Sequence, residues 1–216
     1  VRSAGLILAS AHTSAVVTGN YVDNCFIEWT NEQDPTPAFT SGYSFSALSI
    51  SDNIFLSGEV APWFSYIVVK PHGAGHFLSG VAITGNRFRS LNGSIDRAER
   101  VDTTFADLDL SRCKNVVMKG NSFHAVTTQV ENMAEIEFTQ SETWVIDTAG
   151  HLPFEGQALN SDAVVAHGAI RNSNNVAQFD MPYVTHAEGP DRDQLHVVWP
   201  TPVKGKVSVM VRMDNR

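Results

Sequence analysis

Apolar and polar positions alternate in short runs along the chain, and one such run recurs four times. Each copy has the pattern apolar-x-apolar-x-Gly/Asp-Asn-x-Phe/Val. The copies are AVVTGNYV (15–22), LSISDNIF (48–55), VAITGNRF (81–88) and VVMKGNSF (116–123). Their asparagines, spaced 33, 33 and 35 residues apart, are Asn20, Asn53, Asn86 and Asn121. This near-constant period predicts a solenoid, because a single hairpin has no reason to recur at fixed intervals.

Further runs typical of β-strands lie between the copies. They are LILAS (6–10), CFIEW (25–29), YIVVK (66–70), FADLDL (105–110) and AEIEF (134–138). Helical periodicity is missing from these gaps, which argues against ankyrin and TPR arrays, and leucine-rich repeats are shorter, at about 20–29 residues. The sequence therefore predicts an all-β fold: a right-handed single-stranded parallel β-helix of about five coils over residues 1–155. We interpret WVIDTAG (144–150) as the last coil.

The repeated asparagine has a physical role in such a coil. We expect it to take the left-handed conformation that a tight bend needs, with the preceding Gly or Asp supporting the bend. Its side-chain amide can bond the next coil, about 4.8 Å away. The apolar positions three and five residues before each asparagine, and the Phe or Val two residues after it, are expected to stack inside.

The sequence changes character from about residue 160. QLHVVWP (194–200) and VKGKVSVMVRM (203–213) are typical of a β-hairpin, with Val207, Val209 and Val211 on a buried face. Residues 160–216 are therefore predicted to form a small C-terminal β domain. Such a region can cap the open end of a β-helix, whose last strands leave unpaired backbone groups.

The asparagine bends and short strands resemble the coils of the pectate-lyase-like superfamily of right-handed parallel β-helices. The layout of a β-helix followed by a β region is similar to that of phage tailspike proteins. This resemblance implies an extracellular or virion-surface protein that binds or hydrolyses polysaccharide, with the C-terminal region holding three chains together as a homotrimer. The alternative that it leaves open is a non-catalytic structural spike or a capping and trimerisation module.

Candidate chemistry lies on residues that strand alternation turns outward. If FADLDL and AEIEF stack on neighbouring coils, their carboxylates could serve as acid and base of a glycoside hydrolase. These candidate catalytic residues are Asp107, Asp109, Glu135 and Glu137. The candidate substrate-binding residues are Glu28, Tyr66 and Lys70 on the same face, and Trp63 at a loop tip, where it either stacks on sugar or packs down. A solvated acidic face and a Ca²⁺ site are the competing interpretations. A polysaccharide lyase is less favoured, since only Lys70 and Arg112 supply nearby positive charge.

Composition narrows the partners. The net charge of −8 argues against a nucleic-acid partner, and the sequence contains no run of about 18 apolar residues that could span a membrane.

Cys25 and Cys113 fall three coils apart, too far for a disulfide, and are predicted to be free buried thiols. His72 and His76 flank a Gly-rich turn without a third metal ligand. The opening strand-like segment suggests the C-terminal part of a longer protein.

Overall fold

The computed structural model describes residues 3–40, 42–131 and 133–214, which form β-strands and short 3₁₀ helices. The strands of the first part are β1 (Ala4–Leu8), β2 (Ala15–Thr18), β3 (Tyr21–Asp23), β4 (Phe26–Thr30), β5 (Ser44–Ser51), β6 (Ile54–Gly58), β7 (Ile67–Lys70), β8 (Phe77–Thr84), β9 (Arg87–Leu91), β10 (Ile95–Arg97), β11 (Glu99–Val101), β12 (Lys114–Lys119), β13 (Ser122–His124) and β14 (Val126–Thr128). The strands of the second part are β15 (Met133–Asp147), β16 (Asn160–Ala166), β17 (Arg171–Asn172), β18 (Tyr183–Glu188) and β19 (Gln194–Arg212). The 3₁₀ helices are Leu110–Arg112, Ala149–His151 and Pro153–Glu155.

The first part is a parallel β-solenoid, which confirms the predicted fold class. Three four-stranded parallel sheets run along it: sheet 1 (β1-β4-β7-β11), sheet 2 (β2-β5-β8-β12) and sheet 3 (β3-β6-β9-β13), while β10 pairs with β14. The stack makes about three turns rather than the predicted five. Segment 144–150 is not a coil, because most of it lies in β15, which pairs antiparallel with β19.

Sheet register follows the sequence repeat. In sheet 2, Leu48 pairs with Ala15 on one side and with Val81 on the other, and Val81 pairs with Val116. The predicted interior rows are confirmed. In the second and third copies of the repeat, all three interior positions are at most 2 % exposed. The Phe row stacks directly: the ring centroids of Phe55 and Phe88 lie 5.0 Å apart at an interplanar angle of 21°.

The four asparagines form a continuous ladder beside this core. The Asn53 side-chain oxygen accepts hydrogen bonds from the backbone N–H (2.9 Å) and the side-chain amide (3.0 Å) of Asn20. Asn86 accepts the same pair from Asn53 (3.0 and 3.0 Å), and Asn121 accepts it from Asn86 (2.9 and 3.1 Å). Asn53 and Asn86 are about 1 % exposed, so these bonds satisfy donors that water does not reach.

The left-handed residue of each bend is not the asparagine, contrary to expectation. It is the residue before it: Gly19 (φ 68°), Asp52 (φ 56°), Gly85 (φ 68°) and Gly120 (φ 65°). At Gly85 the missing side chain also matters, because a Cβ there would lie 2.6 Å from the Asp52 Oδ1 atom of the coil before it. Since the preceding residue turns the chain, the asparagine keeps ordinary backbone angles and its side chain is available to the ladder.

The fourth strand of sheet 1 lies at β11 and not at residues 105–110, so the prediction for FADLDL is wrong. Residues 102–113 form a loop that local hydrogen bonds turn away from extended structure. The Asp102 carboxylate accepts from the Thr104 backbone N–H (3.1 Å), and the Asp109 carboxylate caps the 3₁₀ helix through the Ser111 N–H (3.2 Å). Residues 92–102, which precede this loop, contain β10 and β11.

The second part is an antiparallel sheet built on β19. This strand pairs with β15 over nearly its whole length and also with β16, β17 and β18. The predicted hairpin at residues 200–203 is therefore wrong: β19 runs on past Pro200 and Pro202, where the pairing with β15 is interrupted by register shifts. The predicted buried face is confirmed, because Val207, Val209 and Val211 are at most 1 % exposed.

Cys25 and Cys113 are both free, as predicted, but the predicted burial is found only for Cys113. Cys113 is buried, and its burial raises its pKa to about 11, whereas Cys25 is only half-buried. The described residues contain no helix with the length and apolar character that crossing a membrane requires.

The ladder predicts that the position of an asparagine decides the cost of removing it. Asn86→Ala leaves the buried Asn53 N–H without an acceptor and also removes the bond from the Asn86 amide to the Ile50 carbonyl (2.9 Å). We expect it to lower the free energy of unfolding by about 3 kcal/mol, measured by urea denaturation. The control Asn20→Ala, at the exposed end of the ladder, should cost less than about 1 kcal/mol. Equal losses in both variants would contradict a cooperative ladder.

Candidate functional site

The four candidate catalytic residues do not share one face of stacked strands. Asp107 and Asp109 lie in the loop 102–113, where both carboxylates bond to neighbouring backbone N–H groups. Glu135 and Glu137 lie on β15 of the antiparallel sheet, opposite Ser208 and Lys206 of β19. The predicted stacking on adjacent coils is wrong, because neither segment forms a strand of sheet 1.

Glu135 instead belongs to a charged cluster on the exposed side of the antiparallel sheet. Its carboxylate lies 2.6 Å from Lys206 Nζ and 3.6 Å from His167 Nε2. The hydrogen bond from Lys206 lowers the pKa of Glu135. His167 Nε2 also lies 2.5 Å from the Ser208 hydroxyl. This arrangement holds Glu135 ionised, which does not suit it to donate a proton.

The candidate substrate-binding residues separate into two groups. Tyr66 is 0 % exposed, so its predicted outward position is wrong. It precedes β7 and packs among the interior rings, with its hydroxyl 2.7 Å from both the Ser57 hydroxyl and the Arg89 carbonyl, and burial raises its pKa. Glu28 and Lys70 are half-buried on β4 and β7. Trp63 is 65 % exposed, which favours the platform interpretation over packing.

An exposed aromatic residue that the sequence did not single out lies beside Lys70. The Phe105 ring is 58 % exposed and stacks on His72, with centroids 4.3 Å apart at 17°. Lys70 Nζ lies 5.2 Å from the Phe105 centroid. We define the loop cluster as Lys70, His72, Arg100, Asp102 and Phe105.

Charge in the loop cluster is partly balanced. Arg100 Nη2 lies 3.8 Å from the Asp102 carboxylate. Partial burial of Asp102 opposes ionisation, but hydrogen bonds from Thr104 and the charges of Arg100 and Lys70 outweigh it and lower the pKa of Asp102. The Arg100 Nε–H is buried and has no hydrogen-bond partner among the residues that the structure describes. The cluster therefore offers one aromatic face together with charged donors and acceptors.

A cleft of about 170 Å³ lies next to the loop cluster, where the solenoid meets the C-terminal part. Its lining residues are Arg97, Glu99, Arg100, Val101, Thr103, Asp107, Leu110, Phe154 and Glu155. Of the four candidate catalytic residues, only Asp107 lies in it. Asp107 is exposed and is thus the candidate carboxylate best placed to meet a ligand there.

The wall of this cleft contains a buried, hydrogen-bonded pair, Arg97 and Glu99, that the sequence analysis missed. Glu99 is 0 % exposed and occupies an interior position of sheet 1, paired with Ile67. Its Oε1 atom accepts from Arg97 Nη2 (2.7 Å), from Arg97 Nε (3.0 Å) and from the Phe154 N–H (3.1 Å). Arg97 Nη2 also donates to the Leu152 carbonyl (2.6 Å), so the pair joins the last coil to the chain that follows β15.

The environment of Glu99 favours its neutral form. Burial raises its pKa, and the charge and hydrogen bonds of Arg97 and the Phe154 N–H only partly oppose this. Its Oε2 atom is buried and has no partner within the described part of the chain. A sequence signal was available, because β11 follows Asn86 at nearly the same distance along the chain as β7 follows Asn53. Counting from the ladder would have placed a strand of sheet 1 from Arg100, within one residue of its observed start at Glu99.

The histidines of the Gly-rich turn have structural surroundings. His76 is buried, with Nδ1 3.0 Å from the Tyr43 carbonyl and Nε2 3.1 Å from the Asn31 amide nitrogen. Because a carbonyl only accepts, Nδ1 carries the proton and Nε2 accepts from Asn31. Within residues 3–40, 42–131 and 133–214, no three His, Cys, Asp or Glu side chains converge in a way that could hold a metal ion.

The antiparallel sheet carries a second notable surface. Phe179 and Met181 are 96 % and 92 % exposed, in the segment before β18. They border a groove of about 530 Å³ that Val184, Trp199 and Val207 also line. We define the C-terminal apolar surface as Phe179, Met181 and this groove. Soluble monomers rarely expose large apolar side chains side by side in this way.

Comparisons with known proteins found no match, so this chain is classified by its fold alone. No family model, curated protein or solved structure matches this chain. The stacked parallel coils define the class as a parallel β-solenoid.

The buried carboxyl predicts a specific dependence of stability on pH. Because folding raises the pKa of Glu99, the native state holds its proton more tightly than the unfolded chain. The resulting stability is fully present below about pH 4.5 and is lost as pH rises through the folded pKa. Glu99→Gln cannot titrate, so its free energy of unfolding should rise relative to that of wild type above pH 4.5, by about 1.4 kcal/mol per unit of pKa shift.

Urea denaturation between pH 4 and pH 8 measures this difference. Replacing the carboxyl by an amide also changes the hydrogen bonds with Arg97 and Phe154 by an amount that does not depend on pH, so the slope is the readout. Val16→Ala, which changes an exposed side chain that does not titrate, is the control and should give a curve parallel to that of wild type. A Glu99→Gln curve that also runs parallel to wild type would contradict the raised pKa.

Proposed function

We propose that this chain is the C-terminal part of an extracellular or virion-surface, tailspike-like protein that binds polysaccharide at the loop cluster and the adjoining cleft. The observation that carries the proposal is the exposed Phe105 ring, held against His72 and beside Lys70. An aromatic face provides apolar contact area for the C–H side of a sugar ring. Charged groups beside it orient the hydroxyl groups, as polar groups do in ligand sites.

Surrounding residues support the same surface. Asp107 and the partly exposed guanidinium group of Arg100 line the cleft and provide an acceptor and a donor for sugar hydroxyl groups. Lys70 is at the end of β7, and Glu28 lies on the neighbouring strand β4. Trp63 precedes the start of β7, so a long chain following sheet 1 would meet an exposed aromatic residue before and after this strand.

Binding has better geometric support than hydrolysis. Glycoside hydrolases need two carboxyl groups about 5–9.5 Å apart on either side of the scissile bond. The stacking that was expected to create such a pair is missing, and Glu99 is too buried to reach a polymer. Hydrolysis by Asp107, Asp109, Glu135 or Glu137 is therefore the part of the proposal for which the structure provides least support.

Polysaccharide binding is tested with Phe105→Ala on a panel of acidic and neutral polysaccharides, using calorimetry or surface plasmon resonance. Loss of the aromatic face should weaken binding about tenfold, or about 1.4 kcal/mol. Tyr21→Ala, an exposed aromatic residue of sheet 3, is the matched control and should bind like wild type. Reducing-end release by wild type, Asp107→Asn and Glu137→Gln tests hydrolysis in the same samples. Equal binding by wild type and Phe105→Ala would refute the loop cluster as the site.

A second candidate function is structural: a cap and homotrimerisation module without catalysis. The C-terminal apolar surface favours it, because Phe179 and Met181 would be covered if three chains met around a threefold axis. The bonds from Arg97 to Leu152 and from Phe154 to Glu99 support capping, since they hold the following chain against the last coil. This candidate and polysaccharide binding use different surfaces and are compatible.

Assembly is tested by the double substitution Phe179→Ser and Met181→Ser. Sedimentation or light scattering at about 10 µM should give a trimer for wild type and a monomer for the double variant, because burial of these side chains provides much of the association energy. Phe105→Ser, an exposed phenylalanine outside this surface, should stay trimeric. A monomeric wild type, or a trimer that survives the double substitution, would contradict the assembly proposal.

A further inference from the structure

Four asparagines of this chain are followed by glycine or serine, whose small size leaves the asparagine amide open to attack by the backbone. They are Asn92, Asn121, Asn160 and Asn172. In this reaction the backbone nitrogen of the next residue attacks the side-chain amide carbon and closes a five-membered ring. The reaction needs a nitrogen whose N–H is not held in a hydrogen bond and a side chain that can turn toward it. The structure shows where both conditions are met.

Two of the four positions are protected at the attacking nitrogen. The Ser122 N–H, which follows Asn121, donates to the Asn86 carbonyl (2.9 Å). The Ser161 N–H donates to the side-chain oxygen of Asn160 (2.9 Å). In both cases the proton that the reaction must remove is held by an acceptor.

A third position is protected at the side chain. The side-chain oxygen of Asn172 accepts from the N–H groups of Asn174 and Val176, both at 3.0 Å. Both bonds must break before the amide carbon can turn to the next nitrogen, so the fold opposes the reaction here as well.

Asn92 and Gly93 meet both conditions. They are exposed in the bend between β9 and β10. Among the residues that the structure describes, neither the Asn92 side chain nor the Gly93 N–H has a hydrogen-bond partner. A Cβ atom on Gly93 would have no heavy atom within 4 Å, so the space around this nitrogen is open to the ring. The pair is also the only Asn-Gly sequence in the chain.

We infer that Asn92 is a site of spontaneous covalent modification in the folded protein, at which the side-chain amide is lost and part of the product carries isoaspartate. The Gly93 nitrogen gives up its proton and forms a bond to the Asn92 amide carbon, and the bond from this carbon to the amide nitrogen breaks, releasing ammonia. Water then opens the cyclic imide. Opening at the side-chain carbonyl gives aspartate, and opening at the backbone carbonyl gives isoaspartate. Water is the only co-reactant, and the inference does not depend on polysaccharide binding.

The isoaspartate product changes the bend itself. Asn92 is left-handed (φ 57°), as is Glu59 (φ 52°) at the equivalent position of the coil before it. Isoaspartate adds one backbone atom to this bend, so the chain after it cannot keep its path. The backbone hydrogen bonds of Ile95 and Asp96 lie directly after the bend and are the first that this change would weaken. Aspartate leaves the backbone path unchanged and adds one carboxylate, a coil away from Glu59.

Mass spectrometry of aged protein tests the site. The tryptic peptide 90–97 contains Asn92 as its only asparagine or glutamine, and peptides 120–171 and 172–192 contain the three protected asparagines. In folded protein kept at about pH 8 and about 37 °C, peptide 90–97 should gain about 1 Da, at a rate within about threefold of a synthetic peptide of the same sequence. In the other two peptides, folding should slow the mass gain at least tenfold relative to protein unfolded in urea.

The matched variant is Asn92→Gln, because the longer side chain would have to close a six-membered ring. Peptide 90–97 of this variant should gain no mass over the same period. Hydroxylamine, which cleaves the chain at a cyclic imide, should split aged wild type into residues 1–92 and 93–216 and leave the variant whole. Hydrogen exchange of the Ile95 and Asp96 amides should be faster in aged wild type than in fresh protein or in Asn92→Asp.

Three results would overturn the inference. The first is a rate at Asn92 in the folded protein below about one-tenth of that in the synthetic peptide, which would mean that the bend protects it. The second is an equal rate at all four asparagines in the folded protein, which would mean that hydrogen bonding does not select the site. The third is aged protein that contains aspartate but no isoaspartate at residue 92.

Discussion

The amide contacts between successive asparagines are the interaction on which the rest of this structure depends. Each contact joins one coil to the next by a backbone donor and a side-chain donor that share one acceptor. Because the side chain points along the stack, the distance between coils is set at every bend. Because this distance is fixed, the side chains of the interior rows align from coil to coil, and the Phe55 ring stacks on the Phe88 ring. Apolar side chains on either side of the bend stabilise it, because folding removes their surface from water.

The ladder leaves the opposite side of each coil free to vary. The bends between sheets 2 and 3 are short and uniform, whereas sheets 1 and 2 are joined by longer loops, such as the one at positions 102–113. The loop 102–113 brings Phe105 to Lys70 of an earlier coil and Asp107 to the edge of Arg97 and Glu99. The candidate functional residues therefore lie in loops that interrupt the repeat, because the side chains of the stacked strands are used for packing.

The repeat made the solenoid predictable, and its limits explain the errors. The interior rows that contain Ile50 and Ile83 were predictable, because each residue stacks on the equivalent residue of the neighbouring coils and strand alternation fixes which side chains point inward. Asp107 and Asp109 were misplaced because capping bonds within a few residues outweigh the alternation that suggested a strand. Tyr66 was misplaced because it lies just before β7, where the strand alternation no longer applies. The positions of Glu135 and Glu137 depend on the pairing of β15 with β19, a strand far along the chain. Such long-range pairing leaves no pattern in the sequence around the two residues. Phe105 and Arg100 form a site only through the loop path, so composition and spacing could not reveal them.

Amide hydrogen exchange tests the central claim most directly. Among the residues that the structure describes, the backbone N–H groups of Asn53 and Asn86 bond only to side-chain oxygens of the next rung and to no backbone carbonyl. If the ladder holds the coils together, these two amides should exchange as slowly as the strand amides of Ile50 and Ile83. Exchange of Asn53 and Asn86 at the rate of exposed amides in the loop 102–113 would contradict the account, because it would mean that the bends open while the sheets stay paired.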